Sequence, residues 1–204
     1  MRPLFLLSAS LLAFGCKPAP QVARYEVKSE AAAPAAAPTA AAPAPSPVVA
    51  APMVAPASMK AEAASFSAPK WAPLPKGWSV GPENGMRKAT WLVAGPNESK
   101  AEIAVTVFPG NVGGLTANVN RWRGQIGLAP ASADEIAAAA KAAKVGGLES
   151  QRFVMTSADG KKAVDAVLTS KDGATWFFKM NGDAAAVEAN GAAFVAFLSA
   201  SQLP

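Results

Sequence analysis

"LESQRFVMTSADGKKAVDAVLTSKDGATWFFKMNGD", residues 148–183, holds two Asp-Gly pairs, Asp159 with Gly160 and Asp172 with Gly173. Asp-Gly between alternating apolar residues is the strongest short-range signal for a hairpin, because a type I′ turn needs positive φ at both central positions. The stretch therefore reads as three antiparallel strands. In the last of them Trp176, Phe178 and Met180 fall on one face, since side chains alternate along a strand.

Upstream, "GWSVGP" and "MRKATWLVAG" read as a short and a longer strand joined by a turn at residues 83–85. In "KAEIAVTVF", Ile103, Val105 and Val107 share one face, with Ala104, Thr106 and Phe108 on the other. Both faces are largely apolar, which marks a central strand covered on two sides. Leu115, Val119, Trp122 and Ile126 then form one stripe of an amphipathic helix, and Gly127 fits its C-terminal cap. "SADEIAAAAKAAKVGG", residues 132–147, reads as a second helix: Ser132 can cap it, Glu135 is the capping-box partner, and two glycines end it. Downstream of the hairpins, Val187, Gly191, Phe194 and Leu198 line one side of a closing helix. Gly191 on that apolar stripe suggests close approach to an aromatic of the sheet. The expected order is β-β-β-α-α-β-β-β-α, an α+β domain over residues 69–204: an antiparallel sheet with helices on both faces.

The rest of the 204-residue chain is different. From Lys17 to residue 68 it is rich in alanine and proline. Frequent prolines forbid a continuous helix, and such a composition has little to pack, so residues 16–68 read as a disordered, partly polyproline-II linker. Fully extended, its roughly 50 residues at about 3.1 Å each would reach on the order of 150 Å. Before it come Arg2 and an apolar run over residues 4–15, about a dozen residues against the roughly 20 needed to span a bilayer. The run ends in Ala13, Phe14 and Gly15, followed by Cys16.

That first segment resembles a bacterial lipoprotein signal, residues 1–15, cut just before a lone cysteine that is then diacylated. Phe14 stands where that pattern has a small residue. An ordinary secretory signal with an incidental cysteine is the alternative. The resemblance implies a lipid anchor at Cys16, an extracytoplasmic place in the cell envelope, and the membrane as a partner. Two or three acyl chains would hold stably where one binds only marginally. Lys17, rather than an Asp, follows the cysteine, which favours the outer membrane under the enteric sorting rule.

Composition narrows the chemistry. The net charge is +5, there is no histidine, and Cys16 is the only cysteine. Metal sites built on His and Cys, Ser–His or Cys–His catalysis and any internal disulfide are thereby excluded. No cofactor motif occurs. From Lys70 onward the charge excess falls to about +3, with both signs mixed, which argues against a nucleic-acid partner.

Residues 175–201, "TWFFKMNGDAAAVEANGAAFVAFLSAS", resemble the end of PsbP-like domains, named for the extrinsic subunit of the oxygen-evolving complex. There a strand with an aromatic doublet runs through a Gly turn into a helix. "MRKATW" and "FPGNVGG…ANVNRWRGQIG" are similar to a group of bacterial lipoproteins carrying such a domain behind an Ala/Pro tether. The resemblance implies an α/β/α sandwich that binds or assembles, with another envelope protein as partner, and not an enzyme.

The glycine-rich turn before the first long helix is the main candidate site. Gly110, Gly113 and Gly114 would present backbone N–H groups to an anion, with Arg121 and Arg123 supplying charge. Neither the Walker pattern nor GxGxxG is present. Three readings stand open for this segment: architecture, a small-anion site, or a partner-protein surface with Arg beside Trp122 as anchor. For catalysis, Glu102 and Asp165 are mid-strand carboxylates with no local role. They would serve a metal-independent hydrolase if they shared a cleft, or else pair with Arg121 or Arg123. A ligand binder should show a pocket lined by the glycine loop, and an assembly module an exposed apolar patch.

Overall fold

In the computed structural model the described residues are 57–82 and 85–204, with side chains from residue 61 onward. The signal segment, Cys16 and most of the linker lie outside them, as do residues 83 and 84 of the expected turn. Seven strands form one antiparallel sheet: β1 (Trp78–Val80), β2 (Ala89–Ala94), β3 (Lys100–Pro109), β4 (Lys141–Val145), β5 (Leu148–Thr156), β6 (Lys162–Lys171) and β7 (Ala174–Asp183). Their spatial order is β1-β2-β3-β7-β6-β5-β4. Among the described residues four α-helices accompany them: α1 (Ala57–Ser65), α2 (Gly114–Gln125), α3 (Ala133–Ala139) and α4 (Ala184–Ala200). The expected α+β class holds.

The two Asp-Gly pairs act as turns. Asp172 and Gly173 both take positive φ, 49° and 73°, between the paired Lys171 and Ala174. β7 then lies at the centre, paired with β6 on one side and β3 on the other, so residues 174–178 are buried throughout. Above one face, α4 places Val187, Phe194, Phe197 and Leu198 over Ile103, Val105, Trp176, Phe178 and Met180. Beneath the other, Val119 and Trp122 of α2 and Ile136 of α3 pack on Phe153, Val164, Ala166 and Phe177. α2 ends in a Schellman motif: the Leu128 N–H bonds the Arg123 carbonyl and the Gly127 N–H bonds that of Gly124, with Gly127 at φ 73°.

Three local expectations change. The second helix stops at Ala139, and Lys141–Val145 is the edge strand β4. Alanine favours a helix, but tertiary context overrides propensity, and here Ala143 and Val145 alternate into the core. The two glycines read as a helix stop are the hairpin turn: Gly146 and Gly147, at φ 55° and 86°, join the paired Val145 and Leu148. Gly191 approaches no aromatic. A Cβ there would meet Arg152 Nη2 at 3.0 Å and Asp165 Oδ2 at 3.5 Å. Last, folded chain begins before residue 69. The proline-free run at residues 57–68 contains α1 (Ala57–Ser65), and just after it the Phe66 ring meets Trp176 edge-on at 6.3 Å.

The cap of α3 is as expected. Ser132 Oγ accepts from the Glu135 N–H at 3.3 Å, and Glu135 Oε2 accepts from the Ser132 N–H at 2.7 Å. That backbone bond, then the Ser132 hydroxyl, holds the Glu135 carboxyl below the ordinary glutamate range. A depressed carboxyl contributes stability above its unfolded pKa and loses it as pH falls through its folded value. Ser132→Ala removes the N-cap bond to the Glu135 N–H and is expected to cost about 1 kcal/mol in urea unfolding at neutral pH. The difference from wild type should shrink in acid. A constant difference down to pH 3 would refute the cap's ionic part.

Candidate functional site

β3 leaves the sheet at Pro109, and its exit is pinned to β7. The Gly110 N–H donates to the Gly173 carbonyl at 2.6 Å, and the Gly110 carbonyl accepts from Thr175 Oγ1 at 2.7 Å. Gly113 and Gly114 both take positive φ, 74° and 66°, which glycine adopts without the Cβ cost. Asn118, one turn into α2 and only 5% exposed, then closes the loop on its own helix. Its Nδ2 donates to the carbonyls of Val112 at 2.7 Å and Gly114 at 2.8 Å. Its Oδ1 accepts from Arg121 Nη1 at 3.0 Å. The loop is thus drawn together through its carbonyls, with the Gly110 N–H already bonded.

Arg121 and Arg123 do not converge. At about 100° per residue, two positions apart on a helix point to nearly opposite sides. Arg123 Nε donates to the Ala129 carbonyl at 2.8 Å and supports the turn into α3. Asn120 clamps the same turn, exchanging two bonds with Ala131. Arg121 lies on the other side, where α2 leaves part of the sheet open.

There a groove of about 480 Å³ runs between α2 and strands β3 and β7. Ala104, Thr106, Phe108 and Phe177 line it from the sheet, and Asn118, Arg121, Trp122 and Gln125 from the helix. The Phe177 ring makes edge contacts with Phe108 and Trp122, each at 6.2 Å. Three cations border it: Arg121, Arg87 and Lys179. Arg87 Nη1 pairs with Glu102 at 2.8 Å. Lys179 Nζ donates to Gln125 Oε1 at 2.8 Å. Burial, then the nearby Arg87, lowers the Lys179 ammonium pKa; Glu102 opposes this, and Arg121 adds to it. Among the described residues neither Arg121 nor Lys179 has a carboxylate within ion-pair distance. A depression of the same volume lies beside Trp71 and Trp91 on the other side of Arg87, lined also by Pro82, Gly85 and Thr90.

Glu102 and Asp165 do not share a cleft. Glu102 pairs in register with Asn181 and Asp165 with Met180, so alternation sends them to opposite faces. Nor does either meet Arg121 or Arg123: Glu102 holds Arg87, and Asp165 holds Arg152 beneath α4. Arg87 and Lys179 were not singled out from the sequence. Lys179 did leave a signal, a lone cation in the otherwise apolar "WFFKM", on the face shared with Phe177. Arg87 left none, because it precedes β2 and reaches the groove only through the pairing of β2 with β3.

Among the described residues there is no cluster of three or more His, Cys, Asp or Glu that could hold a metal, and no helix long and apolar enough to cross a membrane. No family model matches the chain, and no curated protein does. Solved structures are distantly similar, two of them as follows. LpqN, involved in cell envelope biogenesis in Mycobacterium tuberculosis, is 20% identical, covers 69% of this chain and 86% of its own, and has a TM-score of 0.41. A protein from Bacteroides thetaiotaomicron is 10% identical, covers 64% of this chain and 43% of its own, and has a TM-score of 0.34.

Proposed function

We propose that this chain is a lipid-anchored binding module of the bacterial cell envelope, held at the membrane through Cys16 and acting without catalysis. The observation that carries the binding part is the groove: aromatic walls with three cations at the border, two of which have no carboxylate within ion-pair distance among the described residues. A half-buried ammonium beside two guanidinium groups is poorly compensated in the free protein, and a bound anion relieves that repulsion. An open groove of this size, apolar with a few placed polar groups, is the common form of a binding site. The anchoring part rests on residues 1–16, and on the Ala/Pro linker that would let the domain stand away from the bilayer. The PsbP-like resemblance of residues 175–201 supports binding or assembly over catalysis.

Two measurements on whole cells test this. Labelling with an alkyne-bearing palmitate should mark the wild-type protein and leave Cys16→Ser unmarked and released from membranes. A photo-crosslinking residue at Thr106, inside the groove, should give adducts absent when the same residue replaces Ala196 on exposed α4. Equal labelling of Cys16→Ser removes the anchor. Identical adduct patterns from the two positions remove the groove as a binding site.

A further inference from the structure

We infer that the groove accepts an acidic segment of a partner protein, with two carboxylates flanking an apolar side chain. This rests on the groove being the binding site. The argument begins with where its cations stand. The Arg121 guanidinium is at the loop end, bonded to Asn118 and with Nη2 3.7 Å from the position a Gly113 Cβ would take. Lys179 is at the far end, bonded to Gln125, with Arg87 beside it on Glu102. Asn118 and Gln125, which hold the two cations, are seven residues apart, about 10 Å along α2. The groove therefore has two positive poles at roughly that spacing. Between them lies the apolar wall of Phe108 and Phe177.

Carboxylates two or three residues apart in an extended chain are separated by about 7–10 Å, which lets flexible side chains reach both poles. A single phosphate or sulfate would satisfy one pole and leave the other uncompensated, with the aromatic wall unused. The groove is open along its length, with Val112 exposed at its loop end, and an apolar side chain continues past it: Leu92 on the same sheet face is 44% exposed. That shape suits a segment of chain laid along α2 better than an enclosed small molecule. Recognition of acidic motifs by clustered cations, with apolar anchors between, is an established mode of peptide binding.

The test uses the full chain purified in mild detergent and a fluorescein-labelled peptide, Ser-Glu-Phe-Glu-Ser, read by anisotropy. The Gln-Phe-Gln version should bind about ten-fold more weakly, and Arg121→Gln and Lys179→Gln should each weaken the parent peptide by about ten-fold, the scale of one charge-assisted hydrogen bond. Arg123→Gln should leave binding within about two-fold, since that guanidinium serves the α3 turn. Circular dichroism checks that each variant is folded. Should one fail to fold, a salt titration of wild type replaces it, because pairs at an open groove weaken as screening shortens. Equal binding of the Gln peptide, or insensitivity to salt, overturns the inference. So does displacement of the peptide by vesicles of phosphatidylglycerol, which would assign the poles to a phosphate headgroup. If the peptide fails while the Thr106 crosslinker still gives groove-specific adducts, the ligand class is wrong and the site stands. If both fail, the proposed function falls with it.

Discussion

Asp165→Ala is expected to destabilise the protein by about 3–5 kcal/mol, the usual cost of leaving one partner of a buried ion pair behind. Asp165 is 1% exposed on β6, and Arg152 on β5 reaches it with both arms of the fork: Nε to Oδ1 at 2.8 Å and Nη2 to Oδ2 at 2.5 Å. Arg152 Nη2 also lies 3.5 Å from the Gly191 carbonyl, so the pair sits directly under α4. Burial is the larger influence on Asp165 and raises its carboxyl above the ordinary range, with Arg152 pulling the other way. A carboxyl whose folded pKa exceeds its unfolded value favours the fold at low pH and loses that advantage as pH rises through the folded value. At neutral pH the intact pair is consequently no great stabiliser, and its loss hurts because Arg152 is stranded. Arg152→Leu with Asp165→Leu should recover most of the loss, as apolar replacements of buried pairs commonly do. Urea unfolding followed by tryptophan fluorescence reads both. A single Asp165→Ala within about 1 kcal/mol of wild type would mean that water or backbone motion rescues the arginine.

The same pair shows where sequence reading stops. Asp165 was conspicuous as a mid-strand carboxylate without a local role, and that was correct. Its partner was not legible, because Arg152 becomes a neighbour only through the register that sets it opposite Val167, beside Asp165. Gly191 likewise stood out on an apolar stripe, yet the large group it makes room for is a guanidinium and not a ring. Features decided within a few residues came through: the Asp172 and Gly173 turn, the Ser132 cap, and the α2 stripe through Val119 and Trp122. β4 did not, since "KAAKV" has the alanine content of a helix and the alternation of a strand, and only pairing with β5 decides between them. The groove was half legible. Arg121 was a candidate from the start, grouped with Arg123 on sequence proximity that helix geometry undoes. Lys179 and Arg87 join it from strands far away in the chain, the first opposite Ala104 in the β3–β7 pairing and the second through Glu102.

Phe197→Ala should be as costly as the broken ion pair, about 3–5 kcal/mol for a large aromatic removed from a core. Phe197 is 3% exposed and is the hub of a four-ring cluster. Trp91 and Trp78 lie 5.0 and 5.4 Å from it, and Trp71 stacks at 6.0 Å with planes 15° apart. Three separate segments meet there: α4, the β1–β2 hairpin, and the strand-like stretch around Trp71. That stretch is also held by the Trp71 ring edge-on to Trp91 at 4.7 Å and to Phe178 at 6.5 Å, by the mutual bonds of Lys70 and Gln202 at 2.8 Å, and by the Ala72 N–H on Ser201 Oγ. Stiff indole rings fill the gap left by a phenyl group poorly, so the cavity term adds to the lost transfer energy. The damage should be local in a specific way. Trp71 loses its stacking partner, so proteolysis between α1 and β1 should accelerate well before global unfolding. The groove lies across the sheet, where Trp122 of α2 packs on Phe177, and peptide binding there should be unchanged at temperatures where the variant is folded. Loss of groove binding in folded Phe197→Ala would show instead that the two faces of the sheet act as one unit.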